Sequence, residues 1–333
     1  KESLGQKFFI TALLALFFGE FIILGFTALK QPKTFVVQSD RHQAQFSRTT
    51  ESKLFNLFFP QTPRKPERPL NILILGRSGE GYLAPDLTDS IMILRLTPQA
   101  EAALISIPRD IWVKAPKKNY YSKINALYNL DRTEGPDKEG FEMIKNKIQE
   151  ITGLDIDYYA LVDITALKEL VDILGGIDVY VENKINDRVY QYLTLEPGWH
   201  HLDGRTVQKY VRTRMDSGGD FARIKRQQQV IKILKEKIFG LNPLWDLPKI
   251  IEIYRTVGRN VKTDIGLAEM QYFLEIAEFF KDQEFKNLVI DHSNTKLLVS
   301  SSVMTSGGLA YILTPKAGLE NYNEIKKYIA DNL

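Results

Sequence analysis

Cysteine is absent from the 333 residues. That excludes disulfides, zinc–thiolate sites and a thiol nucleophile, and it is compatible with an extracytoplasmic location in a bacterium. Histidine is scarce: His42, His200, His201 and His292 are the whole set, and no HExxH pattern occurs. The pair His200-His201 reads as part of a loop rather than a metal site. A GxGxxG dinucleotide fingerprint is missing, as are internal repeats and low-complexity tracts. Large charge excess is missing too. Lys and Arg number 44 against 41 Asp and Glu, a formal net charge of +3, which argues against a protein that coats nucleic acid. What remains is a globular composition, 44% hydrophobic and 26% charged, in a length suited to one large domain or two ordinary ones with accessories.

The positive charge is local. Tyr210 to Gln229, YVRTRMDSGGDFARIKRQQQ, holds four arginines, one lysine and two aspartates around a glycine pair. Planar guanidinium donors at this density suit a bound polyanion, phosphate above all. A long apolar run opens the chain. Phe8 to Leu29, FFITALLALFFGEFIILGFTAL, is interrupted by the single charge of Glu20. As a helix it reaches about 33 Å, enough for a bilayer core. Glu20 costs about 2.5–3.5 kcal/mol there, which the surrounding Phe, Leu and Ile residues offset. The expected layout is a short cytoplasmic N-terminus over 1–7, a single transmembrane helix over 8–29, and a Pro-rich stalk over 30–69. The remainder, 70–333, forms a large extracytoplasmic domain at the cell membrane.

Within that domain, LNILIL (70–75), SIMILRL (90–96) and AALISI (102–107) read as buried strands whose close spacing favours antiparallel pairing. Helical spacing covers 141–151. A strand is expected at 158–162, a helix at 164–174 ended by Gly175-Gly176, and another strand at 177–181. The tail from 241 to 333 adds helices at 247–254, 267–280 and 322–329 and strands at 288–290 and 311–313, with Ser300–Gly308 as a loop. Alternation of this kind predicts a layered α/β/α domain around a central mixed sheet.

Three clusters fall at strand ends or helix starts, where α/β folds place ligands. Gly76–Asp89 carries Glu80, Asp86 and Asp89, carboxylates suited to a hard cation or to an ordinary polar loop. Ser106–Asp110, SIPRD, sets Arg109 just beyond a strand, free to reach across the sheet edge or to pair with Asp110. The third cluster is the arginine segment. Arg212 and Arg214 share a side if the chain is extended there. Asp220 is placed to cap the next helix, and Arg223 and Gln227 follow it on one stripe, with Arg226 off it. Ile224, Ile231, Leu234 and Ile238 continue that stripe. They read as core, or alternatively as a track for the hydrocarbon of an amphiphile whose phosphate sits at the helix N-terminus.

NILILG, LTDSIMIL, SIPRDIWV, KINALY, LVDILGGIDVYV, LEPGWHHLDG and YVRTRMDSGGDFARIKRQQQVI occur in this order over about residues 70–240, and in them the chain resembles the LytR-CpsA-Psr family. The resemblance implies a membrane-anchored phosphotransferase of the bacterial envelope. Such an enzyme moves a glycopolymer from undecaprenyl pyrophosphate to peptidoglycan and releases undecaprenyl phosphate, with pyrophosphatase action as a side activity. It also implies that Arg109, Arg212, Arg214, Arg223 and Gln227 hold the pyrophosphate, that Asp220 orients the arginines, and that Asp89, helped by Asp86, binds Mg2+. Nucleic acid is not among the implied partners. The chain departs from the family at Ser78, where aspartate is common, and at Leu87, where arginine is common, and metal use is the property those changes touch. The alternatives are a non-catalytic polyprenyl-pyrophosphate scaffold and a membrane-bound transcriptional attenuator.

Overall fold

The computed structural model describes residues 63–333 apart from 80–81, 83, 117–118, 135–139, 190, 216–218, 242–244, 281, 292–294 and 306. The expected transmembrane helix at 8–29 and the stalk up to 62 lie outside these residues. Among the described residues no helix is long and apolar enough to cross a membrane.

The strands are β1 (Leu70–Arg77), β2 (Thr88–Leu96), β3 (Ala102–Ile107), β4 (Trp112–Lys114), β5 (Tyr121–Lys123), β6 (Tyr158–Asp163), β7 (Ile177–Val181), β8 (Ile185–Asp187), β9 (Leu193–Leu195), β10 (Gly198–Leu202), β11 (Val261–Thr263), β12 (Phe285–Val289), β13 (Leu298–Thr305) and β14 (Gly308–Pro315). The helices are α1 (Leu127–Glu134), α2 (Glu142–Thr152), α3 (Ile164–Ile173), α4 (Gly204–Tyr210), α5 (Gly219–Phe239), α6 (Leu247–Asn260), α7 (Leu267–Phe280) and α8 (Asn323–Asn332).

Six strands form the central sheet in the order β11-β6-β1-β2-β3-β12. The pairs β1–β2 and β2–β3 are antiparallel, β1–β6 and β3–β12 are parallel, and β11 runs antiparallel to β6. The sheet is therefore mixed, as expected. Its strands read as unbroken apolar runs because both faces are covered. Ile72, Met92 and Leu104 enter a core with α3, α4, α5, α6 and α7. Their neighbours Leu73, Ile93 and Ile105 enter the opposite core with α1, α2 and α8. Successive side chains alternate between the faces, so each strand serves two cores.

The tail completes this same domain. β11 and β12 are the outer strands of the sheet, and Ile325 and Ile329 of α8 fill the second core. Buried Lys147 on α2 bridges Glu150 at 2.7 Å and Glu320 at 2.8 Å, tying α2 to the approach to α8. The end of the expected stalk also belongs to the body. Arg64 N donates to Glu275 O at 3.0 Å, and Arg68 meets Asp157 at 2.5 Å.

Two expectations need correction. Ser300–Gly308 is not a loop: most of it is β13, paired with β14 from Leu298↔Pro315 to Thr305↔Gly308. Its serines face solvent, so no apolar alternation marks it in the sequence, and the backbone ladder alone makes the strand. His200 and His201 lie on β10 rather than in a loop, where His201 Nδ1 meets the Asp178 carboxylate at 2.7 Å.

Candidate functional site

The C-terminal ends of β1, β3 and β6 and the N-terminal end of β2 meet at one edge of the sheet, a consequence of the pairing directions. β2 opens with Thr88-Asp89, and Arg109 follows β3 by two residues. The Arg109 guanidinium makes a short ion pair with Asp89 and lies 3.6 Å from Asp110 and 3.8 Å from Asp220. Asp110 itself is taken by Lys123 Nζ at 2.6 Å. A simple Arg109–Asp110 bridge is therefore the lesser interaction, and Arg109 does reach across the edge.

α5 delivers the other half. Gly219, in the left-handed region at φ +54°, is its first residue. Asp220 thus lies inside the first turn rather than at the cap. Its carboxylate accepts from Arg223 Nη2 at 3.1 Å through Oδ2 and stands 3.9 Å from Arg214. Arg223 also donates to the Asp89 carbonyl at 3.1 Å. Asp220 is thus the common neighbour of Arg109, Arg214 and Arg223.

The segment bearing Arg212 and Arg214 is held from beneath. Arg226 Nε donates to Tyr210 O at 2.9 Å, and its Nη2 donates to Thr213 O. Gln227 Nε2 donates to Val211 O at 3.2 Å, and Thr213 Oγ1 donates to buried Asp187 at 2.6 Å. Arg226 is therefore a brace, consistent with its place off the stripe. Gln227 braces the same segment. Arg212 and Arg214 flank the clamped Thr213. Arg212 stacks over the Tyr82 ring at 4.9 Å, while Arg214 is half exposed. Farther along α5, Ile224, Leu234 and Ile238 are buried. Ile231 is half-buried against the same core, so the stripe packs into the domain.

Burial lowers the Arg223 guanidinium to about 10; the Asp220 carboxylate opposes the shift, and nearby Arg109 and Arg214 reinforce it. For Arg109 burial pulls in the same direction, but Asp89, Asp110 and Asp220 outweigh it and hold the group above its ordinary value. Among the described residues the buried Nε atoms of both arginines find no hydrogen-bond partner. Buried donors without acceptors are costly, and an anion between them would supply the acceptors.

The two expected metal carboxylates separate. Asp86 receives Arg77 at 2.6 Å and Arg132 at 2.5 Å, and Arg77 also pairs with Asp163. This network carries two cations and two anions and is already balanced. Asp89 differs: its hydrogen bonds from Arg109 and Asn125 both fall on Oδ1. Ser78 is buried. Among the described residues no group of three or more His, Asp and Glu side chains is arranged to hold a metal. One available carboxylate beside an arginine cluster still fits magnesium, which is commonly held by one or two carboxylates plus phosphate oxygens and water.

Several participants escaped the residue-by-residue reading. Lys123 and Asn125 hold Asp110 and Asp89, and the KIN of KINALY was their only signal. Gln228 donates to Ser106 Oγ at 2.8 Å, one position beyond the stripe that was followed. Arg77, directly after Gly76, balances Asp86 and Asp163.

The model of the LytR_cpsA_psr family matches residues 33–325. The regulatory protein MsrR of Staphylococcus aureus (strain COL) is 31% identical over 208 residues, which is 62% of this chain and 60% of that protein. The chain thus spans about three-fifths of the length of that relative. The polyisoprenyl-teichoic acid–peptidoglycan teichoic acid transferase TagV of Bacillus subtilis (strain 168) is 27% identical over 323 residues, covering 94% of this chain and 75% of TagV. The crystal structure of B. subtilis TagV superposes with a TM-score of 0.58 at 25% identity, over 80% of this chain and 98% of that one.

Proposed function

The chain belongs to the LytR_cpsA_psr family, and on that premise we propose that it is a membrane-anchored phosphotransferase that moves a glycopolymer from undecaprenyl pyrophosphate to peptidoglycan. The observation that carries this reading is a charge balance. Among the described residues Arg109, Arg214 and Arg223 gather about Asp89 and Asp220, while Asp110 is neutralised by Lys123. Three cations against two anions leave a formal positive excess. A pyrophosphate esterified at both ends carries two negative charges. Its oxygens would also satisfy the buried Nε donors of Arg109 and Arg223.

In the reaction an acceptor hydroxyl oxygen forms a bond to the phosphorus that bears the glycan. The bond from that phosphorus to the bridging oxygen breaks, and undecaprenyl phosphate leaves with the electron pair. The hydroxyl proton passes to a base or to water. Phosphoryl transfer of this kind depends on positioning and charge neutralisation more than on a protein nucleophile, and the site offers those two things. Arg109 and Arg223, fixed by Asp89 and Asp220, neutralise the buried side of the pyrophosphate. Arg214, half exposed, meets the charge developing on the leaving oxygen. Asp89 would hold Mg2+, which when bound supplies Lewis-acid stabilisation of phosphate oxygens.

The test uses the full chain with a polyprenyl-pyrophosphate glycan, an acceptor and magnesium. Transfer by the wild-type chain, lost in Arg214→Ala with the fold retained, is the expected result. Tight lipid binding with neither transfer nor pyrophosphate cleavage would identify a scaffold instead. The membrane anchor at 8–29 and the outer position of the domain are part of the same proposal, and a reporter fused to the C-terminus that reads as cytoplasmic would overturn them.

A further inference from the structure

Beside the arginine cluster, β13 and β14 leave the body of the domain as a two-stranded ribbon. Its root is fastened to the site. Leu313 N donates to Asp110 O at 2.9 Å, and Ile111 bridges Leu313 in parallel, so the ribbon departs from the residues that directly follow Arg109. Leu313 is buried at this root. In a strand every second side chain shares a face, so the face of Leu313 continues outward through Tyr311 and Leu309. Across the ladder stand Ser300, opposite Leu313, then Ser302, opposite Tyr311, then Met304, opposite Leu309. Tyr311 is 45% exposed, and Met304 and Leu309 are each 73% exposed. The Tyr311 hydroxyl shares a hydrogen bond with Ser300. Its phenol is held above the ordinary range by burial first and then by the carboxylates of Asp110 and Asp220. Tyr311 therefore stands beside the arginine cluster, and Met304 and Leu309 stand farther out.

The ribbon is chemically unlike the rest of the chain. From Leu297 through Pro315 there is no Lys, Arg, Asp or Glu, although 26% of the whole sequence is charged. Exposed strand pairs are usually protected by charge, so an uncharged one invites contact. A polyanion is a poor occupant because the ribbon offers no cation. Hydrocarbon is poor too, since Ser302 and the hydrogen-bonding capacity of Ser300 and Tyr311 left over from their mutual bond would be stripped of water. A neutral sugar chain matches both halves of the surface. Its C–H faces suit Tyr311, Leu309 and Met304, and its hydroxyl and amide groups suit the serine and tyrosine hydroxyls.

We propose that the face formed by Ser300, Ser302, Met304, Leu309 and Tyr311 docks a neutral saccharide chain and leads it to the arginine cluster. Identifying that chain with the acceptor glycan rests on the phosphotransferase reading; the saccharide contact itself does not.

The probe is the N-acetylglucosamine tetramer, titrated calorimetrically into the detergent-solubilised full chain, with inorganic pyrophosphate titrated separately. Wild-type chain is expected to bind the tetramer. Leu309→Ser and Tyr311→Ala should each weaken that binding roughly tenfold, the scale of one apolar side chain withdrawn from a contact. Leu309→Ser should leave pyrophosphate affinity unchanged. The absence of cysteine makes Leu309→Cys a single labelling site, and a spin label there in lipid nanodiscs should be water-accessible and become immobilised by the tetramer. No tetramer binding by the wild-type chain, unchanged binding in both variants, or a label buried in lipid or in a second copy of the chain would each overturn the proposal. Binding of the tetramer without binding of pyrophosphate would instead overturn the phosphate reading and leave the ribbon standing.

Discussion

Arg223 shows how a single residue can be kept short of charge compensation for use by a ligand. It is buried against Asp220, but Arg109 and Arg214 crowd it, and its pKa falls to about 10. An anion bound there favours the protonated guanidinium and raises the pKa again, so the ligand binds the protonated form more tightly. The sign follows: affinity for inorganic pyrophosphate is independent of this group below its free value and declines as pH rises through about 10. Calorimetric titrations between pH 8 and pH 11 check this. In Arg223→Met the decline due to this group should disappear along with most of the affinity. Arg226, three residues on, is the contrast. It too is buried, but its described hydrogen bonds run to the Tyr210 and Thr213 carbonyls, and its charge is spent on holding the backbone. The helical stripe separated these two arginines in the sequence, because Arg223 lies with Asp220 and Arg226 does not. The roles of Lys123 and Asn125 were not legible, because Asp110 lies in the turn after β3 and Asp89 lies on β2, and no local period links them.

At the scale of elements, the site depends on the packing of α3 against α4, since α4 leads directly into the Arg212–Arg214 segment. Asp203 caps α4, accepting from Thr206 N at 2.7 Å. Gly204 follows, and its N donates to Asp172 of α3 at 2.7 Å. A Cβ at Gly204 would lie 2.1 Å from the Lys168 carbonyl oxygen and 2.7 Å from Asp172 Oδ1. Neither the α3 backbone nor the bonded carboxylate can give way cheaply, so Gly204→Ala should lower stability by about 3 kcal/mol. Urea unfolding of the purified protein measures it, and a loss below about 1 kcal/mol would show that α4 slides without cost. The elements themselves divide by legibility. β3 and α7 fall where their apolar patterns put them, at Ala102–Ile107 and Leu267–Phe280. β13 does not, because both its faces are wet over most of its length and carry serines, so no alternation announces it.

For the whole molecule, the tail decides whether there is a domain at all. The motif-bearing part ends near residue 240, yet β11 and β12 close the two edges of the sheet and α7 and α8 cover opposite faces. Without them the outer edges of β6 and β3 are bare and both cores are open. A chain ended after Gly240 should therefore show no cooperative thermal transition, whereas the full chain should unfold cooperatively; circular dichroism on both distinguishes the cases.

The sequence by itself determined the layered α/β/α fold, the mixed sheet and the positions of most strands and helices, because burial on two faces writes long apolar runs and helix faces write a 3.6-residue period. It also set the density of guanidinium groups around Arg212–Gln227 on which the proposed pyrophosphate site rests. Only the tertiary structure decided which carboxylate meets which arginine. Asp86 is neutralised by Arg77 and Arg132, while Asp89 stands at the arginine cluster. The two carboxylates are three residues apart in the chain and differ only in which strand ends and helices the fold brings beside them. Side-chain pairing across a sheet edge depends on contacts between segments distant in sequence, and no local pattern encodes it.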